Sequence, residues 1–366
     1  MPHLYRTLPL LLVCAFTLVG CGKKAERLNW ERQLDKEEEF TRIHYSGGVF
    51  LEDEYNLDGL AIPIEDIHTL LGRDEVPPIT ETELVPASEA DWVPEGDRIA
   101  VARIGGKVVG TSFRVMYYRE IANLTVGDDH VAITYCPLCD SVAVFSRVVQ
   151  GEEGPRVVEF GTSGALYNHN LLMYDREELG LWTQMNLTAV SGAHVGTKLS
   201  PRPVEVLSHE EFLSQYPDAL LVSFSGEPIF EDEYAQYFTS DNLMVPVREY
   251  SDALPIKTLG IGIATDEKAW FVPRDEITDS MTVETDAGAV EIESREGVLR
   301  VVSAPEGVRT LQAFFYAWSL TFPESEIVQV DTPEVASIDP ESDKTESDKT
   351  EPETPAISEP KVSEAE

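Results

Sequence analysis

Two apolar, β-rich runs flank a short segment that contains a pair of cysteines. V-A-I-T-Y (131–135) precedes C-P-L-C-D (136–140), and S-V-A-V-F (141–145) follows it. Runs of this kind predict two strands, so Cys136 and Cys139 are expected in a tight turn between them. The other two cysteines of the chain, Cys14 and Cys21, lie near its start. A thiol pair in otherwise cysteine-free sequence indicates redox chemistry, a metal site or a covalent staple.

The rest of the pattern favours a β-dominated α+β fold. Residues 99–113 form two β-rich runs around Gly105-Gly106, which is a strong hairpin signal. Helices are predicted over 113–123, 209–216 and 311–320. Glycine and proline interrupt the pattern every 10 to 15 residues. This spacing argues against a doubly wound parallel sheet.

A weak internal sequence repeat predicts a duplicated scaffold. The hairpin at 98–113 resembles residues 257–272, and each half then ends in a helix and an aromatic-Pro-acid signature, Y-P-D at 216–218 and F-P-E at 322–324. We therefore expect two pseudo-repeated hairpin-plus-helix halves, at about 77–223 and 240–330. The first half would carry the cysteine-containing insertion.

The first residues are typical of a bacterial lipoprotein. Arg6 supplies a basic start, residues 8–18 are apolar, and L-V-G-C follows at 18–21. Residues 1–20 are predicted to be a signal peptide that is removed, and Cys21 is predicted to be lipidated at the head of a tether, 21–43. Gly22 in place of aspartate indicates an outer-membrane destination, if the organism has one. The protein would then be exported to the cell envelope and face the periplasm or the exterior.

Composition limits the partners of the chain. Residues 331–366 carry a tandem E-S-D-K-T repeat and are predicted to be a disordered acidic tail, which leaves 44–330 as one folded domain. The formal net charge of −38 argues against nucleic acid or an anionic lipid surface as partner. The lipid anchor would make the membrane contact. A small ligand and another envelope protein both stay open as further partners.

A longer motif follows the cysteines. G-x-S-G-x-L-Y-N-x-N-L-x-M-Y-D-R spans 161–176 and L-W-x-Q spans 181–184. With T-Y-C-P-L-C at 134–139, these residues resemble the prokaryotic domain of unknown function family 3179, over about 77–330. The resemblance implies no activity because that family is uncharacterised. The chain departs from the family pattern at four positions: Arg119, Leu124, Glu178 and Gly180 stand where members tend to have His, Asp, Thr and Ser. If the family's site uses those groups, the site in this chain is altered.

The cysteine pair leaves three kinds of site open. Two thiolates joined by a histidine or methionine would suit copper(I) or zinc, and the candidate additional ligands are His169, Met173 and Asp175. An unoccupied pair outside the cytoplasm is expected to rest as a disulfide, which would be either structural or catalytic. A thioredoxin-like site would need a helix after the pair, and the strand predicted at 141–145 argues against it.

Polar and aromatic residues of the motif predict a pocket beside the cysteines. The predicted lining is Ser163, Asn168, Asn170, Tyr174, Asp175, Arg176, Trp182 and Gln184. The alternative is structural, with Asp175 and Arg176 as a charge-assisted clamp and Trp182 in the core. Function therefore stays open between an extracytoplasmic metal or thiol-redox module, with or without catalysis, and an envelope scaffold stapled by a Cys136–Cys139 disulfide.

Overall fold

The computed structural model describes residues 51–80, 83–151, 154–223, 234–245, 247, 250–295 and 298–329. The predicted signal peptide, Cys21, the tether and the acidic tail lie outside these ranges. The strands are β1 (Ile67–Thr69), β2 (Leu84–Pro86), β3 (Arg98–Ile104), β4 (Lys107–Ser112), β5 (Ile121–Val126), β6 (Asp129–Cys136), β7 (Ser141–Ser146), β8 (Val148–Gly151), β9 (Gly154–Val157), β10 (Phe160–Tyr167), β11 (Asn170–Asp175), β12 (Leu181–Thr183), β13 (Thr188–Ala189), β14 (Pro201–Arg202), β15 (Glu205–Ser208), β16 (Leu220–Val222), β17 (Leu259–Ala264), β18 (Ala269–Pro273), β19 (Ser280–Thr285), β20 (Gly288–Arg295), β21 (Val298–Ser303), β22 (Arg309–Phe314) and β23 (Glu326–Ile327). The helices are α1 (Leu51–Glu54), α2 (Phe113–Met116), α3 (His209–Gln215), α4 (Ala235–Phe238) and α5 (Phe315–Thr321).

The predicted β-dominated α+β class is confirmed. Within the described ranges no α-helix is longer than seven residues. Most strands belong to three sheets, and the central one has the order β23-β18-β17-β22-β7-β6-β5 with β14 beside β7. The second has the order β19-β20-β21-β15-β3-β4-β16-β2, and the third has the order β1-β10-β11-β12-β13. No helix in the described ranges is long and apolar enough to cross a membrane.

Two groups of four strands have the same order and the same pairing directions. In the first group β15 pairs antiparallel with β3, β3 with β4, and β16 lies parallel to β4. In the second group β22 pairs antiparallel with β17, β17 with β18, and β23 lies parallel to β18. A short helix connects the last two strands of each group in chain order, α3 before β16 and α5 before β23.

Each four-strand group is extended by strands that come from the other half of the chain. The segment β5-β6-β7 precedes β15 in sequence, yet β7 pairs with β22 of the second group. The segment β19-β20-β21 precedes β22 in sequence, yet β21 pairs with β15 of the first group. The turn between β6 and β7, which contains the cysteines, therefore lies where the two halves of the chain meet.

Local predictions succeeded where turn or cap chemistry decides the structure. Gly105 and Gly106 form the β3–β4 turn, both at positive φ, a conformation that glycine adopts at no steric cost. The predicted helix at 209–216 is confirmed as α3, which Ser208 and Glu211 begin with a capping box.

Two other predicted helices were too long. The prediction over 113–123 is right only for α2, because residues from Ile121 onward form β5 and pair with β6. The prediction over 311–320 is wrong up to Phe314, because those residues pair with β17 as β22. In both cases long-range strand pairing overrides a helical pattern in the sequence.

The cysteines lie in the main apolar core. Cys136 and Cys139 are buried in a cluster with Met173, Trp182 and Trp318. This cluster joins the central sheet to β10, β11 and β12 of the third sheet. Residues of the long motif are thereby brought next to the cysteine turn, as the sequence predicted.

Candidate functional site

The cysteine turn has the predicted position between two strands. Cys136 pairs with Ser141 at the end of the β6–β7 ladder, so residues 137–140 form the connection. Asp140 completes the turn at a φ of 44°, a left-handed conformation that aspartate tolerates better than most residues. Both cysteines are free thiols, with exposed fractions of 2% for Cys136 and 0% for Cys139. The sulfurs therefore do not lie open to solvent.

The sulfur of Cys139 lies in a buried polar network. Asn170 Nδ2 donates to Cys139 Sγ at 3.0 Å, and Ser141 Oγ lies 3.2 Å from the same sulfur. Ser141 Oγ and Asn170 Nδ2 each donate to Gln184 Oε1 at 2.7 Å. Asn170 and Ser141 therefore hold the Cys139 side chain in a fixed position within a polar network.

The strands around this network hold its amides in place. Gln184 Nε2 donates to the carbonyl oxygen of Ser141 at 3.1 Å and to Thr134 Oγ1 at 3.3 Å. The backbone N–H of Met185 donates to Asn170 Oδ1 at 3.0 Å. Asn170 at the start of β11 and Gln184 just after β12 are thus locked onto the cysteine turn, since a satisfied buried network has one arrangement of its members.

Asp140 anchors the far side of the turn. Its carboxylate accepts hydrogen bonds from Tyr135 Oη at 2.8 Å, from Arg98 Nη1 at 2.9 Å and from Gln312 Nε2 at 3.4 Å. The backbone N–H of Phe314 donates to the carbonyl oxygen of Cys139 at 2.8 Å. Strands from both halves of the chain therefore fix the turn.

Tyr316 and His169 extend the hydrogen-bonded network to Leu138. The backbone N–H groups of Met244 and Val245 donate to His169 Nε2 at 3.1 and 3.2 Å, so this nitrogen carries no proton. The ring proton then resides on Nδ1 and is donated to Tyr316 Oη at 2.9 Å, while Tyr316 donates to the carbonyl oxygen of Leu138 at 2.8 Å. Burial lowers the pKa of His169 to about 4, so the imidazole is neutral at physiological pH.

Glu120 is the carboxyl group near Cys136. It precedes β5, and its carbonyl oxygen accepts the N–H of Tyr135 at 2.7 Å, which places it beside the end of β6. Burial raises the pKa of Glu120 to about 8. Burial raises the pKa of the Cys136 thiol well above its usual range, and the nearby Cys139 and Glu120 raise it further. Cys136 is therefore held as a neutral thiol next to a carboxyl that titrates near neutral pH.

The candidate metal ligands lie apart from one another. Both ring nitrogens of His169 are engaged as described above. Asp175 accepts from the N–H of Glu178 at 2.7 Å and from Trp182 Nε1 at 2.9 Å, at the opposite end of β11 from Asn170. Met173 lies between these ends, paired with Trp182. In the part of the chain that the structure describes, no group of three or more His, Cys, Asp or Glu is arranged to hold a metal ion. The copper or zinc site stays a prediction.

The other predicted pocket residues serve the scaffold. Ser163 Oγ donates to the carbonyl oxygen of Leu172, and Asn168 Nδ2 donates to that of Leu320 at 3.1 Å. Tyr174 Oη and Arg176 Nη2 both donate to Asp74, at 2.7 and 2.6 Å. Trp182 Nε1 donates to the Asp175 carboxylate, as described above. Arg176 pairs with Asp74 and Glu159 and Asp175 bonds to Trp182, so the alternative of an Asp175–Arg176 clamp is wrong.

The four departures from the family pattern have structural settings. Leu124 is fully buried in β5, and Arg119 Nη1 donates to the carbonyl oxygen of Tyr118 at 3.3 Å. Glu178 pairs with Arg156 at 3.0 Å. A Cβ atom at Gly180 would lie 2.8 Å from the carbonyl oxygen of Ser191, so the backbone here is packed too closely for a serine.

Sequence reasoning missed Glu120 and Tyr316 as neighbours of the cysteine turn. Glu120 belongs to the segment R-E-I-A-N-L at 119–124, and Tyr316 belongs to F-Y-A-W at 315–318. Their proximity depends on the pairing of β5 with β6 and of β22 with β7. Because a helix was predicted over 113–123, the pairing of β5 with β6 was not expected. Because another was predicted over 311–320, the pairing of β22 with β7 was not expected either.

The comparisons with known proteins agree with the motif. No curated protein and no solved structure matches the chain. One family model matches residues 73–345, a span that includes the cysteine turn, Asn170, Gln184 and Tyr316 and covers well over half of the 366 residues. The chain belongs to the family described as Protein of unknown function (DUF3179).

Proposed function

We propose that Cys136 and Cys139 form a dithiol–disulfide couple that exchanges with a small-molecule disulfide. The observation that carries this proposal is the unequal setting of two free thiols in one turn. Cys139 Sγ accepts an N–H from Asn170 at 3.0 Å, whereas Cys136 is a neutral thiol beside the carboxyl of Glu120. One sulfur contacts an amide N–H in a polar network, and the other lies near a carboxyl whose pKa is raised.

The exchange proceeds in two balanced steps. At a pH above its pKa of about 8, Glu120 is a carboxylate and takes the proton of Cys136, and the Cys136 sulfur attacks one sulfur of the small disulfide, which releases one small thiolate and leaves a mixed disulfide. The Cys139 sulfur then attacks Cys136 Sγ, which releases the second small thiolate and closes the Cys136–Cys139 bond. Two protons pass to the released thiolates, so the protein loses two electrons and the small disulfide gains them.

The burial of the two cysteines favours a small molecule over a protein as the disulfide that reacts with them. The exposed fractions of Cys136 and Cys139, 2% and 0%, leave no room for the broad surface of a folded protein partner to reach either sulfur. The hydrogen-bonded network of Asn170 and Gln184 also keeps the turn in one arrangement, which a large partner would have to disrupt. Both points support a reaction with a small disulfide.

Equilibration against a redox buffer tests this proposal. The purified chain is incubated with reduced and oxidised dithiothreitol in varied ratio, quenched with acid, and its mass is read after alkylation of free thiols. We expect an intramolecular disulfide, seen as the loss of both alkylation sites, in the wild type and in neither Cys136→Ser nor Cys139→Ser. A chain that keeps both thiols at every ratio would overturn the proposal.

A second candidate is a scaffold in which the same disulfide is a structural staple. The complete burial of Cys139 favours it. A staple closes a very short loop here, so its contribution to the free energy of unfolding lies at or below the lower end of the usual 2–4 kcal/mol, about 2 kcal/mol. It would exchange only when the chain unfolds. An envelope protein that binds the surface would then be the functional partner.

We also propose that the chain is an exported lipoprotein, anchored at Cys21 in the outer membrane of an organism that has one. The basic start, the apolar residues 8–18 and the L-V-G-C box support this. Expression with an alkyne-labelled fatty acid should label the wild type and leave Cys21→Ser unlabelled. Equal labelling of both would contradict the anchor.

A duplication origin is proposed for the scaffold. The matching pairing directions of β15-β3-β4-β16 and β22-β17-β18-β23 support it, as do the helices that precede β16 and β23. Superposition of these two strand groups should align their Cα atoms in chain order. A match that needs another strand order would contradict the duplication.

A further inference from the structure

A cavity of about 770 Å³ lies next to the cysteine turn, separate from the thiols themselves. Its lining includes Arg98, at which β3 begins, and Leu259, at which β17 begins. β3 and β17 are the strands that come first in sequence in the two four-strand groups. The second strands, β4 and β18, also end there, and Arg114 and Arg274 follow them closely. The volume is typical of a small-molecule site, and a junction between structural halves is where such sites commonly occur.

The cavity presents cations although its formal charges balance. Arg98 pairs with Asp140 at 2.9 Å, and the exposed fractions of these side chains are 28% and 4%. Arg114 pairs with Asp97 at 3.5 Å, with exposed fractions of 24% and 8%. Asp97 and Asp140 are buried behind these arginines, so guanidinium groups form the accessible surface on this side. Asp241 and Asp275, the other two carboxylates of the lining, are exposed.

Two more cations complete the wall. Lys257 lines the cavity, where its ammonium donates to the carbonyl oxygen of Asn242 at 2.8 Å and to that of Tyr237. Arg274 lines it as well, and its neighbour Asp275 is 94% exposed, at the rim. Four cations in one cavity stand out in a chain of net charge −38 with 28 Lys and Arg among 366 residues.

Aromatic rings provide the apolar part of the same cavity. Tyr117, Phe238 and Phe314 line it together with Leu259 and Pro255. Phe238 and Phe314 contact each other with ring centroids 5.6 Å apart. A flat apolar body would pack on these rings while its charged group met the cations.

We propose that this cavity binds a small organic anion, a molecule with a carboxylate, phosphate or sulfonate group on an aromatic or apolar body. Arg98, Arg114 and Lys257 would hold the anionic group, because guanidinium and ammonium donors make charge-assisted hydrogen bonds to such oxygens. This site is independent of the state of the thiols. It would be present whether the cysteines are a redox couple or a staple.

A matched pair of fluorescent probes tests the site on the full chain. 8-Anilinonaphthalene-1-sulfonate carries the anion, and N-phenyl-1-naphthylamine has the same rings without it. We expect the sulfonate probe to bind about tenfold more tightly than the neutral probe, the usual effect of one charge-assisted hydrogen bond. Equal affinity of the two probes would overturn the proposal.

Variants place the binding in the cavity. Lys257→Gln and Arg114→Gln should each weaken the sulfonate probe about tenfold and leave the neutral probe unchanged. Lys107→Gln and Lys268→Gln, at exposed lysines next to the two hairpin turns, are the matched controls and should change neither probe. Ser240→Trp should fill the cavity and abolish binding of both probes. Probe binding that survives Ser240→Trp would contradict the proposal, and so would an equal loss of binding in the lysine controls. A Cys136→Ser, Cys139→Ser double variant should bind the probes as the wild type does.

Discussion

The two ends of strand β11 place buried polar side chains in different kinds of contact. At one end Asp175 is fully buried, and its oxygens accept from the N–H of Glu178 and from Trp182 Nε1. At the other end Asn170 is also buried, yet its amide nitrogen contacts a sulfur, a hydroxyl and the side-chain oxygen of Gln184, among which it shares its two N–H donors. Both residues belong to one sequence motif. Only the Asn170 end touches groups that can react.

The difference shows how a motif divides between fold and chemistry. Asp175 closes the connection from β11 to β12, so its partners are fixed groups of the scaffold. Asn170 and Gln184 converge on Cys139 from two strands. A change at the Asp175 end should therefore alter stability alone, and a change at the Asn170 end should alter the thiols as well.

The largest effect on stability is expected from Asp175→Ala. The variant leaves Trp182 Nε1 and the N–H of Glu178 buried without an acceptor, and each such loss costs 1–3 kcal/mol. We expect the free energy of unfolding in urea to fall by about 3 kcal/mol. The rate of thiol exchange in the folded chain should be unchanged.

Asp175→Asn is the matched control. Its single carbonyl oxygen replaces one of the two carboxylate acceptors, so about half of the loss should return. A change in the oxidation of Cys136 and Cys139 in either variant would break the comparison between the two ends of β11.

Asn170→Ala should lower stability less and change the chemistry more. The N–H of Met185 loses its acceptor, and Gln184 Oε1 keeps the hydroxyl of Ser141, so a loss of about 2 kcal/mol is expected in the same urea experiment. Cys139 also loses the N–H group that contacts and positions its sulfur. The mixed disulfide at Cys136 should therefore accumulate and be visible by mass spectrometry. Closure at the wild-type rate would show that Asn170 is only a structural residue.

A pH-dependent change of opposite sign is expected at Glu120. Its folded pKa of about 8 lies above the ordinary 4.5, so the folded chain keeps a proton that the unfolded chain releases between these values. Stability should fall as pH rises through this window. Glu120→Gln removes the titration, so the variant should be more stable than the wild type at pH 8 and should match it more closely at pH 4.5.

Melting curves at both pH values check this prediction. Glu95→Gln, at an exposed acidic residue, is the control and should leave the pH dependence as it is. A parallel shift of the Glu120→Gln curve at both pH values would contradict a raised pKa.

The sequence predicted what local chemistry decides. The tight turn with Cys136 and Cys139, the glycine turn at 105–106 and the capped helix from His209 all depend on residues adjacent in the chain. The link between the long motif and the cysteines was also expected. It was right for Asn170 and Gln184, which contact the turn.

The sequence could not predict contacts that depend on pairing between strands far apart in the chain. Tyr316 meets Leu138 only because β22 of one half pairs with β7 of the other. The cavity likewise forms from the ends of strands some 160 positions apart, with Arg98 and Leu259 on its wall. No periodicity within either segment reports such a long-range pairing.

The central claim is that the cysteine pair reacts in the folded chain, and the rate of exchange tests it most directly. The reaction of the reduced chain with a small disulfide is timed by mass spectrometry and compared with the rate of global unfolding extrapolated to the same buffer. We expect exchange that is faster than unfolding and slower in Glu120→Gln than in the wild type. Exchange at the unfolding rate, unchanged in Glu120→Gln, would contradict the claim and leave the pair as a staple.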